Sequence, residues 1–328
     1  MMNSRLLCAA AMSLSLAAAP GIDATALLRD LELLASDEME GRRPGTAGHD
    51  RARAYIVRRF GESGLEPVGG AYEQAFTFAA RPGGTPARQR GTNVIGVVRG
   101  RIRPGLAFVV TAHYDHLGVR NGVVFNGAND NASGTAALFA LASSLTAHPP
   151  AHTFIFAALD AEEAGLAGAR ALLDAPPVSR DAIVANVNLD MIARDPGNTL
   201  YAAGTFHHPH LKPALQRVAR RAAVRLVFGH DGPGAPRVED WTRGSDHYAF
   251  HQLGIPFVYF GVEDVAHHHK ASDDFGTISR EFYANAVETI AAALEELDRP
   301  AAGIPLNSSS RIDSAHARSP KERQSKRP

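Results

Sequence analysis

The chain has 328 residues, 45% of them apolar and 21% charged, enough to bury a sizeable core in one large α/β domain or two smaller ones. Lysine plus arginine and aspartate plus glutamate both number 34, so no global field draws the protein to nucleic acid or to an anionic membrane. Nothing in this balance argues for a polyanionic partner.

At the N-terminus, Arg5 precedes an apolar run from Leu6 to Ala19 and then small residues, the layout of a secretory signal peptide over residues 1–22. The run is short of the roughly 20 apolar residues that a membrane span needs. Cleavage is expected between Ala19 and Ala24, leaving an exported protein, periplasmic or secreted, with no stable membrane insertion; an uncleaved anchor is the alternative. Cys8, the single cysteine, lies inside this segment, so the mature chain would hold no disulfide and no thiolate ligand.

From Asp23 the spacing of Leu27, Leu28, Leu31 and Leu34 predicts a helix ending near Ser36. A second helix is predicted from Asp50 to Ser63, with Tyr55, Ile56 and Phe60 on one face and Gly64 as its stop. Arg81 to Gly91 reads as a loop. Strands are predicted over Asn93–Val98, Leu106–Ala112, Thr153–Leu159, Ile183–Leu189 and Pro256–Phe260. Helices alternate with them over Gly134–Ala147, Glu163–Leu173, Leu211–Ala222 and Glu281–Asp298. Near-continuous apolar strands separated by helices predict an α/β sandwich with a largely parallel sheet covered on both faces, whose function gathers beyond the carboxyl ends of the strands. The domain is expected over residues 23–300. Beyond it, residues 301–328 are rich in Ser, Arg, Lys and Pro, a basic tail that cannot bury enough to order itself; a polyanion-binding tail is the alternative.

Chemistry-bearing residues stand at the ends of these strands. His113-Tyr114-Asp115-His116-Leu117-Gly118 follows the second of them, and Asp115 is placed to take the second N–H of a metal-binding His113. Asn126 to Thr135 precedes a helix and reads either as a polar capping loop or as a site where Asp130 bridges two cations. After Leu159 come Glu162 and Glu163, which could merely favour a helix N-terminus or could divide the work of water activation, one on a metal and one beside the water. Asp190 closes an apolar strand, a poor place for an acid unless something positive meets it. His267, His268 and His269 lie in a loop before the last helix. Together these segments offer the nitrogen and carboxylate donors that zinc accepts.

In this order the segments resemble the M28 family of zinc peptidases, related to the bacterial leucyl aminopeptidase and aminopeptidase Y types. The resemblance spans about Ala24 to Leu297 and includes Leu34 to Thr46, read as a structural brace near the cleft, and Gly244-Ser245-Asp246-His247, read as pocket support without metal ligation. It implies a three-layer α/β sandwich with a mixed, mainly parallel sheet, here in a single catalytic domain. It also implies two zinc ions per chain: His113 and Asp190 on one, Glu163 and His269 on the other, Asp130 bridging. Glu162 would be the general base and Asp115 the partner of His113. Several relatives carry a tyrosine before the last histidine ligand, whose hydroxyl meets the developing oxyanion; His268 stands there in this chain and could take that part. The expected activity is aminopeptidase hydrolysis of a peptide or aminoacyl substrate. The alternatives are a carboxypeptidase or dipeptidase on the same scaffold, a glutaminyl cyclase with a single zinc, and a catalytically silent binding protein.

Overall fold

The structure, a computed structural model, describes residues 21–79, 88–232 and 239–299. The expected signal peptide as far as residue 20 and the basic tail lie outside the described residues. Among those described, no helix is long and apolar enough to cross a membrane.

In chain order the elements are α1 (Ala24–Leu34), α2 (Ala47–Glu62), β1 (Glu66–Pro67), β2 (Glu73–Ala79), β3 (Arg88–Val98), β4 (Arg103–His113), β5 (Gly118–Arg120), β6 (Val123–Phe125) and α3 (Gly134–Ala147). They continue with β7 (His152–Leu159), α4 (Ala167–Asp174), β8 (Ile183–Leu189), β9 (Thr199–Ala203), α5 (Lys212–Ala219), β10 (Arg225–Phe228), α6 (His247–Gln252), β11 (Phe257–Gly261) and α7 (Arg280–Asp298). Local chemistry sets several ends. Asp23 Oδ1 accepts the N–H groups of Thr25 and Ala26 at 3.0 Å each and so starts α1. Gly64 follows α2 at φ +78°, a left-handed stop that a residue without Cβ adopts freely.

The nine-stranded sheet runs in the order β1-β3-β7-β4-β8-β11-β9-β10, with β2 paired to β3. Its centre, β7, β4, β8 and β11, is parallel, while β3 meets β7 and β9 meets β11 in antiparallel fashion, so the sheet is mixed. Alternation along the strands divides the core in two. Val94, Phe108, Val110, Phe154, Phe156, Val187 and Phe260 face α1, α2, α3, α5 and α7. Ile95, Val97, Val109, Ile155 and Leu159 face α4 and α6. This is the expected three-layer sandwich.

Two expectations need correction. Residues 88–91 are not loop but the start of β3, paired with β2 from Ala79↔Arg88 to Phe76↔Gly91. The alternating Glu73–Ala79 segment supplies the backbone partners that outweigh the glycine and arginines of this stretch. The helix predicted from Glu163 begins only at Ala167, because Gly165 and Leu166 take φ of +98° and +60°. Glu162 and Glu163 therefore sit on a turn between β7 and α4, and the helix-terminus reading of their charges does not apply.

Candidate metal centre

The parallel centre of the sheet delivers three segments side by side. His113 is the last residue of β4, Asp160 to Glu163 leave β7, and Asp190 leaves β8. The loop of Asp130 and the loop of His267–His269 close the site from above.

His113 is buried, and its Nε2 lies 3.3 Å from Asp130 Oδ1 and 3.4 Å from Asp190 Oδ1. Its Nδ1 is 3.1 Å from the backbone oxygen of Asp115 and 3.6 Å from Asp115 Oδ1. The backbone oxygen of Asp115, and not its carboxylate, is thus within hydrogen-bond distance of His113, and the carboxylate has other partners. Its Oδ1 accepts the N–H of Glu162 at 3.0 Å and its Oδ2 that of Glu163 at 3.3 Å, which fixes the glutamate turn against the histidine.

Asp130 is the hinge of the arrangement. While Oδ1 faces His113, Oδ2 lies 3.2 Å from His269 Nε2, and Glu163 Oε1 is 3.1 Å from that same nitrogen. Asp130 thus joins His113 and Asp190 in one donor cluster and Glu163 and His269 in another, and it also groups with His116 and Glu163 and with His268 and His269. The half-exposed His268 places its Nε2 3.7 Å from Asp130 Oδ2 and its ring 4.1 Å from that of His269.

Burial opposes charge throughout, yet for His113, His269, Asp130 and Glu163 neighbours decide the outcome. His113 is held well above the usual imidazole range because Asp190, Asp115 and Asp130 outweigh its burial. His269 is raised to about 10 by Asp130 and Glu163. Against burial, the imidazoles hold Asp130 well below the carboxylate range and Glu163 down to about 2. Glu162 moves the other way, pushed well above its ordinary value first by burial and then by Asp246, Asp190 and Glu163. The carboxylates thus favour positive charge at the centre, whether on the imidazoles or on a cation held between them.

Spacing fits a cation. Donors around a tetrahedral ion with bonds of about 2.0–2.1 Å lie roughly 3.3–3.4 Å apart, and the contacts above fall at 3.1–3.4 Å. Asp130 Oδ2, Glu163 Oε1 and Asp190 Oδ1 are buried without a hydrogen-bond partner among the described residues, as donors aimed at an ion would be.

Several supporting residues escaped the sequence reading. Arg42, fully buried, donates to the carbonyls of Leu34, Tyr114, Asn126 and Gly127, binding the upstream brace to the segments around His113 and Asp130. Asn131 donates to Leu189 O and accepts from Gly134 N–H, while Ser133, the residue before α3, makes no side-chain cap hydrogen bond. Tyr259 of β11 donates to the backbone oxygen of Asp190 at 3.2 Å. Asp246 is buried with both oxygens unpartnered among the described residues, outside any donor cluster, and its carboxyl is pushed up to about 8 by burial. His247 Nε2 lies 2.9 Å from Trp241 O, a structural contact. His116 of the first motif lies against Glu163 and Asp130.

Known proteins share this architecture. A zinc aminopeptidase from Bacillus subtilis superposes with a TM-score of 0.70 at 17% identity, covering 89% of this chain and 99% of that one. Glutaminyl cyclase from Porphyromonas gingivalis superposes with a TM-score of 0.67 at 21% identity, covering 84% and 98%. In sequence, aminopeptidase YwaD of Bacillus subtilis is 31% identical over 225 residues, 63% of this chain and 45% of that protein. The chain spans about half the length of the curated relatives it matches. The model of peptidase family M28 matches residues 93–294, from β3 into α7. That stretch contains these donor clusters, and by it the chain belongs to peptidase family M28.

Proposed function

We propose that this chain is an exported two-zinc aminopeptidase, a single peptidase domain over residues 23–300 that takes peptide or aminoacyl substrates. One observation carries the reading: the Asp130 carboxylate turns one oxygen to His113 at 3.3 Å and the other to His269 at 3.2 Å, an oxygen for each of two neighbouring cations. His113 and Asp190 hold one, Glu163 and His269 the other. Zinc bound there supplies Lewis acidity for the scissile carbonyl and for the attacking water. Glu162 takes the proton of that water and delivers it to the leaving amine. Asp115 keeps His113 in one orientation and, through the two N–H groups it accepts, keeps Glu162 in reach of the same centre. His268 donates to the developing oxyanion from the open side of the cleft. Likeness in sequence to an aminopeptidase supports the polarity of the substrate.

The test is zinc analysis of the purified protein together with turnover of an aminoacyl chromogenic amide and of its N-acetylated form. Two zinc ions and turnover of the free amine alone are the expected result. Cleavage at the carboxyl end of a peptide would make it a carboxypeptidase. One zinc with ammonia release from an N-terminal glutaminyl peptide would make it a cyclase. Metal without turnover would make it a binding protein.

A further inference from the structure

His116 lies three residues beyond His113, and the reading above leaves it without a task. Its imidazole is buried, and neither ring nitrogen has a hydrogen-bond partner among the described residues. Such a ring costs stability unless some other group meets it. Nδ1 is 3.2 Å from Glu163 Oε1 and 3.7 Å from Asp130 Oδ2. These are the two oxygens that His269 also faces, and both are themselves orphaned. The rings of His116 and His269 are tilted by 56° with centroids 6.0 Å apart, so they approach the pair of oxygens from different directions. Gly127, at φ +56°, makes room: a Cβ there would come within 2.5 Å of the His116 ring.

We infer that His116 Nδ1 is a fourth protein donor to the cation on the Glu163 side, so that the two metal positions are unequal. The inference rests on the two-metal reading above. The Glu163 side then has His116, Asp130, Glu163 and His269, whereas the other has His113, Asp130 and Asp190. Four protein donors are the pattern of closed zinc sites, and three with an open position the pattern of catalytic ones. The ion on the Glu163 side is therefore the tighter, held by a buried imidazole as well as by the half-exposed His269, and the His113 side is the one left open to substrate.

The full chain, stripped of metal, is titrated with Zn(II) and Co(II) against a chelator of known affinity. Wild type should take up two ions in separable steps. His116→Ala should weaken the tighter step by about 100-fold or more and leave the other in place. His116→Cys gives a signal that a merely structural residue cannot. An imidazole ligating through Nδ1 and a thiolate reach about equally far from the backbone, so the cobalt form should show a thiolate-to-cobalt charge-transfer band in the near ultraviolet. Cys8 is the sole cysteine of the sequence, so wild type provides a clean baseline. Melting of the metal-free variants separates misfolding from ligand loss, and the cysteine band decides if the alanine variant fails to fold. Absence of that band, or wild-type affinity for both ions in His116→Ala, overturns the inference. If wild type binds a single ion, the two-metal reading fails, while the band still reports whether residue 116 is a ligand.

Discussion

Asp273 accepts two consecutive main-chain N–H groups, that of Asn129 at Oδ1 and that of Asp130 at Oδ2, each at 2.9 Å. Arg194 reaches the same carboxylate at 2.8 Å and also pairs with Asp264, which takes the Asn129 side chain. The main chain at Asp130 is thus held by an acid far along the sequence. Asp273→Ala leaves two buried N–H groups and part of Arg194 unpaired, at about 1–3 kcal/mol for each orphaned group. A clear fall in melting temperature of the metal-free protein and weaker zinc binding should follow. Unchanged values in calorimetry and metal titration would mean that the loop holds its shape without Asp273.

Glu162→Gln should abolish nearly all turnover while both zinc ions stay bound, because the amide keeps the shape but cannot accept the water's proton. Glu163→Gln should instead lower zinc content, since Glu163 Oε1 faces two imidazoles and Glu162 faces none of them within contact range. Metal analysis beside kcat on both variants checks the assignment. Loss of one zinc equivalent in Glu162→Gln would show that the two glutamates have exchanged roles.

The strand ends were legible because burial and chemistry conflict there: an Asp190 that closes an apolar strand or a His113 that ends one stands out from its surroundings. The central strands were read to within a few residues for the same reason, and α3 at its full extent, since continuous apolar runs leave little choice of face. The edge was harder. β9 and β10 are short, and β2 alternates exposed with more buried residues and carries no long apolar run. Residues that act through main-chain partners were not legible either. Arg42 spends its guanidinium on four carbonyls and Asp273 its carboxylate on two N–H groups, and main-chain groups carry no mark in a sequence. His116 was visible as a residue, yet only the fold shows that the chain turns it toward Glu163.

Acid should destabilise the protein through His208. Burial first, and then repulsion from His210, His251 and His207, lowers its pKa to about 4. Its ring sits 5.3 Å from that of Phe257, and its Nε2 has no hydrogen-bond partner among the described residues. The unfolded chain takes up a proton near pH 6.5 that the folded protein refuses until about pH 4, so stability falls as pH drops through that window. His208→Gln removes this linkage. Melting temperatures of wild type and variant, compared at the same pH, should converge or cross between pH 7.5 and 5, with wild type losing more. Comparison at equal pH cancels the effect of acid on the metal ligands. A constant difference would show that His208 titrates alike in both states.

The proposed oxyanion role of His268 is open to a direct kinetic test. It is half-exposed at the mouth of the site, its Nε2 is 3.7 Å from Asp130 Oδ2, and its backbone N–H is tied to Asp264 O at 3.0 Å, which holds the loop in place. An imidazole N–H can serve as the donor, and losing one such donor typically lowers turnover by roughly 10²–10³. His268→Ala should therefore lower kcat by about that factor, with KM and zinc content little changed, and His268→Tyr should restore much of it. Steady-state kinetics beside metal analysis separates the outcomes. Loss of zinc together with kcat would make His268 a ligand, consistent with its nearness to Asp130 and His269. Wild-type kcat with both ions bound would show that the oxyanion is stabilised without His268, leaving it a member of a histidine-rich loop and nothing more.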